Sequence, residues 1–288
     1  MKIRSNKISD MCKFYHETLT GLYEINEIDE LIFMAFEHVL KYTREQFSLS
    51  KNDNLNQSDL IEIYDIAKAL STRKPIQQIL QKAWFYQDEY FVNEHVLIPR
   101  PETEELVELI KNENTSPNIT LLDIGTGSGC IPLALKKLKP SWEIHALDVS
   151  LQALDVASIN AQRLNRKIHF HHHDILSDEF NPNQKFDIIV SNPPYITKSE
   201  SPSLQKQVIE FEPHLALFVE NDNPFLFYDK ITEFAKQHLN PNGKLYFEIN
   251  QKYGEEVKTL LEKNNFNDVR ILKDINQNDR IVYGFLKR

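Results

Sequence analysis

The stretch that decides the fold is Leu121-Leu122-Asp123-Ile124-Gly125-Thr126-Gly127-Ser128-Gly129. It predicts a buried strand ending at Asp123, a glycine-rich turn, and a helix that begins near Gly129. Alternating glycines let the backbone turn tightly and let a ligand approach without meeting a Cβ atom. The dinucleotide pattern G-x-G-x-x-G requires glycine where Cys130 stands, so the loop favours a ligand without a pyrophosphate. We therefore assign cofactor binding to Gly125, Thr126, Gly127, Ser128 and Gly129, with a plain glycine turn as the alternative.

Acidic residues end the next two predicted strands. Asp148 is placed to accept hydrogen bonds from both hydroxyls of an adenosine ribose. Asp174 is expected to accept from the adenine amino group and Ile175 to cover the ring, although helix capping is an alternative role for Asp174. Open α/β sheets bind ligands outside the carboxyl ends of their strands. Three strand ends thus predict one nucleoside site.

Strand and helix patterns alternate beyond Thr120, which predicts an α/β fold with a mainly parallel, doubly wound sheet. The predicted strands are Ile119–Asp123, Glu143–Asp148, Ile168–His173, Phe186–Ser191, Lys244–Ile249, Val269–Lys273 and Arg280–Phe285. The predicted helices are Ile131–Lys139, Leu151–Leu164, Phe225–His238 and Gly254–Lys263. No helix separates the last two strands, so we expect them to pair antiparallel.

The chain before this region predicts a small helical domain. Apolar residues recur there at helical spacing in three stripes, the third beginning after Ser58 as N-cap. The stripes contain Met11 to Leu22; Leu31 to Leu40; and Leu60, Ile61, Tyr64 and Ala67. Aromatic and β-branched residues from Trp84 to Ile98 predict a β-hairpin, and a further helix is expected over Glu102–Asn112. The predicted domains are residues 1–75 (helical), 76–100 (linker with the hairpin) and 101–288 (α/β).

The fourth strand of the sheet leads into Asn192-Pro193-Pro194-Tyr195. Two prolines fix two φ angles and remove two backbone donors, so the loop is stiff and rich in acceptors. The Asn192 side-chain oxygen and the Pro193 carbonyl can accept the two hydrogens of a planar NH2 group, which orients its nitrogen towards a methyl donor. Tyr195 offers a flat face for the same planar group. We assign catalysis to Asn192, Pro193 and Tyr195, with a structural Pro-Pro turn as the alternative.

Composition limits the class of protein and its compartment. The 288 residues contain no apolar run of membrane-spanning length, and the first twenty residues lack the apolar core of a secretory signal. Cys12 and Cys130 suggest neither a disulfide framework nor a zinc site, so we expect a cytoplasmic protein. The net charge of −9 counts mildly against a nucleic-acid partner. The run His171-His172-His173 predicts no metal site, because alternate strand side chains face opposite ways.

These motifs together resemble the HemK/PrmC family of release factor glutamine methyltransferases. The resemblance covers most of the chain and is carried by Pro75–Ile79, Val96–Val107, Asp123–Gly129, Asn192–Tyr195 and Phe211–Pro213. The family usually has glycine where Gln81 and Gln277 stand in this chain.

The resemblance implies a class I methyltransferase-like fold, with a seven-stranded sheet, and S-adenosyl-L-methionine as cofactor. It gives a cofactor role to Gly125–Gly129, Asp148, Ile175 and Asn192, and a substrate role to Asn192–Tyr195. The implied substrate is the glutamine of the Gly-Gly-Gln tip of class 1 peptide chain release factors. The implied partner is therefore a release factor, which the helical domain helps to bind. From the composition and the net charge we expect neither a membrane nor a directly bound nucleic acid as partner.

Three alternatives share parts of this pattern. Adenine also presents a planar NH2 group, so the Asn-Pro-Pro-Tyr loop fits an adenine methyltransferase acting on DNA or RNA, which the acidic charge disfavours. Ribosomal-protein glutamine methyltransferases share the loop, but the segment around Arg100 favours release factor. A catalytically silent cofactor-binding adaptor is disfavoured by the intact Asn192 and Asp148.

Overall fold

The computed structural model describes residues 5–177, 180, 184–203, 206–219 and 223–287. Residues 1–4 and Arg288, which the predicted domains include, lie outside this part of the chain. Two compact units divide the chain, Met1–Lys82 and Ala83–Arg288. In the part of the chain just defined, no helix is both long and apolar enough to cross a lipid bilayer.

The first unit is a bundle of helices around its own apolar core. The helices are α1 (Ile8–Leu19), α2 (Ile25–Leu40), α3 (Arg44–Leu49), α4 (Gln57–Leu70) and α5 (Ile76–Leu80). Fully buried side chains in this core include Met11, Phe36 and Ile63. The unit ends at Lys82 and not at the predicted residue 75, because Ile76 and Leu80 of α5 pack into the same core.

Three details of the predicted helices are corrected by local geometry. The first stripe ends at Leu19, since α1 stops there and Gly21 adopts a φ of +83°. Helix α4 begins two residues earlier than predicted, because Asn56 and not Ser58 is the N-cap, and its side chain accepts a hydrogen bond from the Asp59 N–H. Ile61 is half exposed and therefore does not belong to the buried face of α4.

The second unit opens with a short hairpin. Strands β1 (Ala83–Phe85) and β2 (Asp88–Tyr90) pair antiparallel, with Ala83 opposite Tyr90. The two turn residues, Tyr86 and Gln87, both have positive φ, which is the conformation of a tight two-residue hairpin turn. The predicted hairpin ran to Ile98, but the chain from residue 91 to residue 100 forms no strand.

The rest of the second unit is a seven-stranded sheet between helices. Its main strands are β3 (Thr120–Ile124), β4 (Glu143–Asp148), β5 (His169–His172), β6 (Phe186–Ser191), β9 (Leu239–Glu248), β10 (Phe266–Lys273) and β11 (Asp279–Leu286). Their order is β10-β11-β9-β6-β3-β4-β5. The five strands from β9 to β5 are parallel, whereas β11 pairs antiparallel with both β9 and β10. The predicted α/β, doubly wound, mainly parallel fold is confirmed.

Helices cover both faces of this sheet. They are α6 (Pro101–Glu113), α7 (Cys130–Leu138), α8 (Leu151–Arg163), α11 (Leu226–His238) and α12 (Gly254–Lys263). Apolar residues of α6 and α7 form a core with one face of the sheet, and those of α11 and α12 form a core with the other face. Buried on both sides, β3, β4 and β6 read as largely apolar runs, which is why the sequence revealed them, whereas β5 at the sheet edge is only partly buried.

A segment between β6 and α11 was not predicted. It contains β7 (Ile196–Thr197), a 3₁₀ helix (Lys198–Ser203), α9 (Lys206–Phe211), α10 (His214–Leu217) and β8 (Phe218–Val219). Strands β7 and β8 pair in parallel as a separate two-stranded sheet. These elements are too short for a hydrophobic period to be recognised.

Gln81 and Gln277, where related chains usually have glycine, both adopt left-handed backbone. Gln81, the C-cap of α5, has a φ of 52°, and Gln277, in the turn between β10 and β11, has a φ of 65°. Glycine reaches this conformation without strain, whereas a side chain costs about 1–2 kcal/mol there. The two departures therefore preserve the backbone path, at a cost in stability.

Candidate active site

A cleft opens at the carboxyl edge of the parallel strands, as the strand-end aspartates predicted. The ends of β3, β4 and β6 lie side by side there, because β3 pairs in parallel with both of its neighbours. The cleft is lined by residues 95–103, the glycine loop with the start of α7, the ends of β4 and β5 with the start of α8, the α10 segment and α11. It is also lined by the loop after β6 to which the sequence assigns catalysis (Asn192–Tyr195, the catalytic loop). The predicted residues that line it are Gly125, Thr126, Gly127, Ser128, Asp148, Asp174, Ile175, Asn192, Pro193 and Pro194.

The three glycines of the loop have different tasks. All three have positive φ: 73° at Gly125, 53° at Gly127 and 79° at Gly129. A Cβ atom added at Gly125 or Gly127 would meet nothing within 4 Å, so these two keep open space beside the loop. A Cβ atom at Gly129 would lie 3.2 Å from side-chain atoms of Ala157 and Leu133. Gly129 does not line the cleft and instead allows α7 to start close to α8.

Asp148 fixes the glycine loop as well as facing the cleft. Its Oδ2 accepts a hydrogen bond from the Gly127 N–H at 2.9 Å, and its Oδ1 accepts one from the Ser150 N–H at 2.9 Å. The Leu147 carbonyl accepts from the Gly125 and Thr126 N–H groups. Burial raises the pKa of Asp148, and these backbone donors oppose the rise. Each carboxylate oxygen keeps a second lone pair, so ribose hydroxyls can still be accepted.

Asp174 and Ile175 follow β5 in the chain and line the cleft. The Asp174 carboxylate accepts a hydrogen bond from the Leu176 N–H at 2.9 Å, so it caps its own turn, which was the alternative role. It also lines the cleft together with Ile175 and His173. Its contact with an adenine amino group stays a prediction.

The catalytic loop follows β6 directly into the cleft. Ser191, the last residue of β6, donates its hydroxyl to the Ile124 carbonyl at 2.8 Å, which ties this strand end to the glycine loop. Asn192, Pro193 and Pro194 all line the cleft. Tyr195 does not: its ring packs against the core shared with α11 and α12. Burial, together with the nearby charge of Glu248, raises the pKa of the Tyr195 hydroxyl. Its stacking on a substrate stays a prediction.

Two carboxyl groups near the cleft are almost completely buried. Asp123, at the penultimate position of β3, is inaccessible to solvent, and neither of its oxygens makes a hydrogen bond to any described residue. Burial raises its pKa to about 7, while the nearby Thr126 hydroxyl lowers it and the charge of Asp148 adds to the rise. Glu248, which ends β9, has its pKa raised to about 7 for the same main reason.

An ion pair that sequence reasoning missed joins two walls of the cleft. The Arg100 Nη2 atom lies 2.5 Å from Oε1 of Glu212, whose side chain is 1% exposed. The second oxygen of Glu212 accepts a hydrogen bond from the Ile98 N–H at 3.2 Å. The segment before α6 is thus held against the α9–α10 segment. The presence of Arg100 and Glu212 in the motifs quoted above was the only signal of this pair.

The three consecutive histidines do not converge. His171 contacts His145 across β4 and β5, with 2.9 Å between Nε2 and Nδ1, while His172 bonds the Val149 carbonyl and His173 lines the cleft. Within the described ranges, no group of three or more His, Cys, Asp or Glu side chains is arranged to hold a metal ion.

The fold and the position of the cleft define a class I methyltransferase. The family model described as methyltransferase small domain matches residues 101–214. The chain is also similar in fold to a methyltransferase from Pyrococcus furiosus, with a TM-score of 0.52 and 19% identity, covering 69% of this chain and 89% of that one.

More specific relatives are similar along almost the whole chain. The release factor glutamine methyltransferase of Flavobacterium psychrophilum is 44% identical over 270 residues, covering 92% of this chain and 94% of the relative. That of Streptococcus pneumoniae is 39% identical, covering 96% and 97%. The chain belongs to the release factor glutamine methyltransferase family, which confirms the resemblance.

Proposed function

We propose that this enzyme transfers the methyl group of S-adenosyl-L-methionine to the side-chain amide nitrogen of the glutamine in the Gly-Gly-Gln motif of class 1 peptide chain release factors. The observation that carries the proposal is that Asn192, Pro193 and Pro194 line the same cleft as the glycine loop and Asp148. An acceptor-rich loop for a planar NH2 group therefore lies beside a nucleoside pocket.

The cleft fits this cofactor in three respects. Gly125 and Gly127 leave open space where a Cβ atom would stand, which suits close approach of a ligand to the backbone. Asp148 is fixed by two backbone N–H groups and retains lone pairs for the ribose hydroxyls. Asp174 and Ile175 line the same cleft, and we assign them to contacts with the adenine ring. When bound, the cofactor supplies a methyl group activated by a sulfonium centre.

The residues of the catalytic loop orient the NH2 group of the substrate glutamine. The Asn192 side-chain oxygen and the Pro193 carbonyl accept the two hydrogens of the glutamine NH2 group, so that its lone pair faces the methyl carbon. With the cofactor bound, the N–C bond would form as the C–S bond breaks, the electron pair of the C–S bond would pass to sulfur, and the nitrogen would then lose one proton. Such orientation can supply about 7–11 kcal/mol of the barrier reduction in favourable systems.

The helical unit is proposed to bind the release factor, as the family resemblance implies. Every residue assigned to the cofactor or to catalysis lies in Ala83–Arg288. The helical unit, Met1–Lys82, therefore has no assigned role in the chemistry. We also place the reaction in the cytoplasm, in keeping with free Cys12 and Cys130. No direct contact with nucleic acid is expected, since the net charge of −9 would repel phosphates.

A methyl-transfer assay with three acceptors tests the proposal. We expect labelled methyl transfer to a bacterial class 1 release factor and none to a ribosomal protein or to DNA. Mass spectrometry should locate one methyl group on the glutamine of Gly-Gly-Gln. A release factor with that glutamine replaced by alanine is the matched control. Transfer to DNA or to a ribosomal protein in place of the release factor would overturn the assignment.

A further inference from the structure

A buried carboxyl group lies beside the catalytic loop and is joined to the wall of the cleft. Glu248 is only 2% exposed, and its Oε2 accepts a hydrogen bond from the Thr103 hydroxyl at 2.7 Å. Thr103, on the first turn of α6, is itself buried and lines the cleft. Neither residue belongs to the cofactor or substrate assignments made above, and burying a carboxyl group this deeply costs stability, which makes it a candidate for a functional role.

Strand pairing places Glu248 next to the residue that orients the substrate. In the parallel pair of β6 and β9, the last paired residues are Ser191 and Phe247, and Asn192 and Glu248 follow them directly on the two neighbouring chain segments. Adjacent strands lie about 4.8 Å apart. On the other side of Glu248, β11 contributes Ile281. The carboxyl group therefore stands at the sheet edge where the glutamine nitrogen is to be held.

The charges around Glu248 leave it without an ion-pair partner in the described chain. The nearest strong cation, Arg280, is bound through Nε and Nη2 to Asp274, both at 3.1 Å. The titratable or charged groups whose electrostatic influence reaches Glu248 from the surrounding elements are Arg280 of β11, Arg100 and Glu102 at the start of α6, Tyr195 of the catalytic loop, Tyr228 of α11 and Cys130 of α7. When ionised, Glu248 therefore carries a negative charge that no salt bridge to a described residue neutralises, while the charges of Arg280 and Arg100 favour its ionised form.

Methyl transfer moves positive charge from the sulfur to the amide nitrogen. We propose that the ionised carboxyl group of Glu248, positioned by Thr103, stabilises the positive charge that develops on the glutamine nitrogen beside Asn192. This inference rests on the proposed function. A fixed charge in a site that excludes water acts strongly on a developing charge, because no solvent has to reorganise. In this proposal the charge of Glu248 acts more on the nitrogen than on the sulfonium, so the effect should fall on the transition state more than on cofactor binding.

The first test is the pH dependence of single-turnover methyl transfer to a release factor at saturating cofactor, in the full-length protein. The pKa of Glu248 is raised to about 7, so the wild-type rate should rise as the pH passes through that value. Glu248→Gln keeps the shape and the acceptor for Thr103 but carries no charge. It should lack this rise and be slower by about tenfold at high pH. Cofactor affinity, measured by titration calorimetry, should change by less than about threefold.

Thr103 supplies an independent second test. Its hydroxyl lowers the pKa of Glu248, so Thr103→Val should raise that pKa and move the rise in rate to higher pH. Thr103→Ser retains the hydroxyl and should restore the wild-type profile. A merely structural hydrogen bond would lower the rate without moving the profile. Because Thr103→Val leaves Glu248 in place, it also decides the matter if Glu248→Gln does not fold.

The outcomes separate this inference from the proposed function. A wild-type enzyme that does not methylate the release factor overturns both. A wild-type enzyme that does so, with the same rise in rate in Glu248→Gln or an unmoved rise in Thr103→Val, overturns the role of Glu248 alone. Loss of the rise in the first variant and its shift in the second support the proposal.

Discussion

Both carboxylate oxygens of Asp148 are already occupied by backbone donors, from Gly127 and from Ser150. Asp148→Ala should therefore weaken S-adenosyl-L-methionine binding for two reasons: the ribose hydroxyls lose a charged acceptor, and the glycine loop loses an anchor. We expect a loss of about 1.5–3 kcal/mol in binding free energy, measured by calorimetry. Asp148→Asn is the matched control, because it retains one acceptor oxygen and should lose less. An unchanged dissociation constant in Asp148→Ala would remove this residue from the site.

Asn192 is the residue on which the orienting mechanism depends. Asn192→Asp preserves the size of the side chain but brings a negative charge next to the sulfonium, which stabilises the bound cofactor before reaction. The carboxylate also lacks the NH2 donor that would hold the Asn192 side chain in its orientation. Asn192→Ala removes the acceptor. Single-turnover methyl transfer at saturating cofactor should fall about 100-fold in both variants, about 2.7 kcal/mol of barrier. Cofactor affinity should persist in Asn192→Asp. Near-normal rates in both variants would mean that Asn192 only shapes the turn.

For single residues, the sequence revealed those that belong to local patterns but missed side-chain pairs whose members lie far apart in the chain. The glycine loop, Asp148 and Asn192 stand at strand ends that hydrophobic runs mark clearly, so their convergence followed from sheet geometry. Arg100 and Glu212 are 112 residues apart, and Thr103 and Glu248 are 145 residues apart. Such pairs depend on how α6, α9 and β9 pack, which no local pattern encodes. Tyr195 illustrates the same limit, since the motif could not say that its ring turns into the core.

At the scale of single elements, the glycine loop offers a matched pair of substitutions. Gly127→Ala places a methyl group in open space at a φ of 53°, so it should cost about 1–2 kcal/mol of stability and weaken cofactor binding about tenfold or more. Gly129→Ala instead crowds Ala157 and Leu133 and should lower the free energy of unfolding further. Denaturant unfolding and cofactor titration measure the two effects. Equal effects of both substitutions on affinity would contradict this division of tasks.

The long elements were predictable, and the short ones were not. Helix α12 has the predicted bounds, because ten residues show the 3.6-residue period well. Helix α3, six residues long, and strand β7, two residues long, carry too few positions to show any period. Strand β10 begins at Phe266, three residues before its predicted start, since its alternation is broken by Asn267 and Asp268.

At the scale of the whole molecule, the two compact units allow a test of their separate roles. A fragment beginning at Ala83 keeps the whole cleft and both cores that flank the sheet. It should bind S-adenosyl-L-methionine with an affinity within about threefold of the full chain, yet methylate whole release factor at least about tenfold more slowly. Circular dichroism should show that the fragment is folded. Full activity towards release factor would exclude a substrate-binding role for the helical unit.

Stability should depend on pH through Asp123. Its folded-state pKa of about 7 lies above the ordinary 3.8, so the folded chain holds this proton more tightly than the unfolded chain. The contribution of the Asp123 proton to the free energy of unfolding is fully present below pH 3.8, the pKa in the unfolded chain. It is lost as the pH rises through about 7, the pKa in the folded chain. Asp123→Asn removes that loss. Its advantage over wild type in urea unfolding should therefore grow by on the order of 4 kcal/mol between about pH 4 and pH 8. Parallel curves for the two proteins would refute this.

The strand order also has a consequence for a chain that is still being synthesised. Because β3, β4 and β5 are consecutive in sequence and adjacent in the sheet, the first half of the sheet can pair before any later strand has left the ribosome. That half carries the glycine loop, Asp148 and the turn at Asp174. The catalytic loop follows β6, and Glu248 is added only with β9, 56 residues after Asn192. A nascent chain thus acquires the nucleoside half of its cleft first and the part that acts on another protein last.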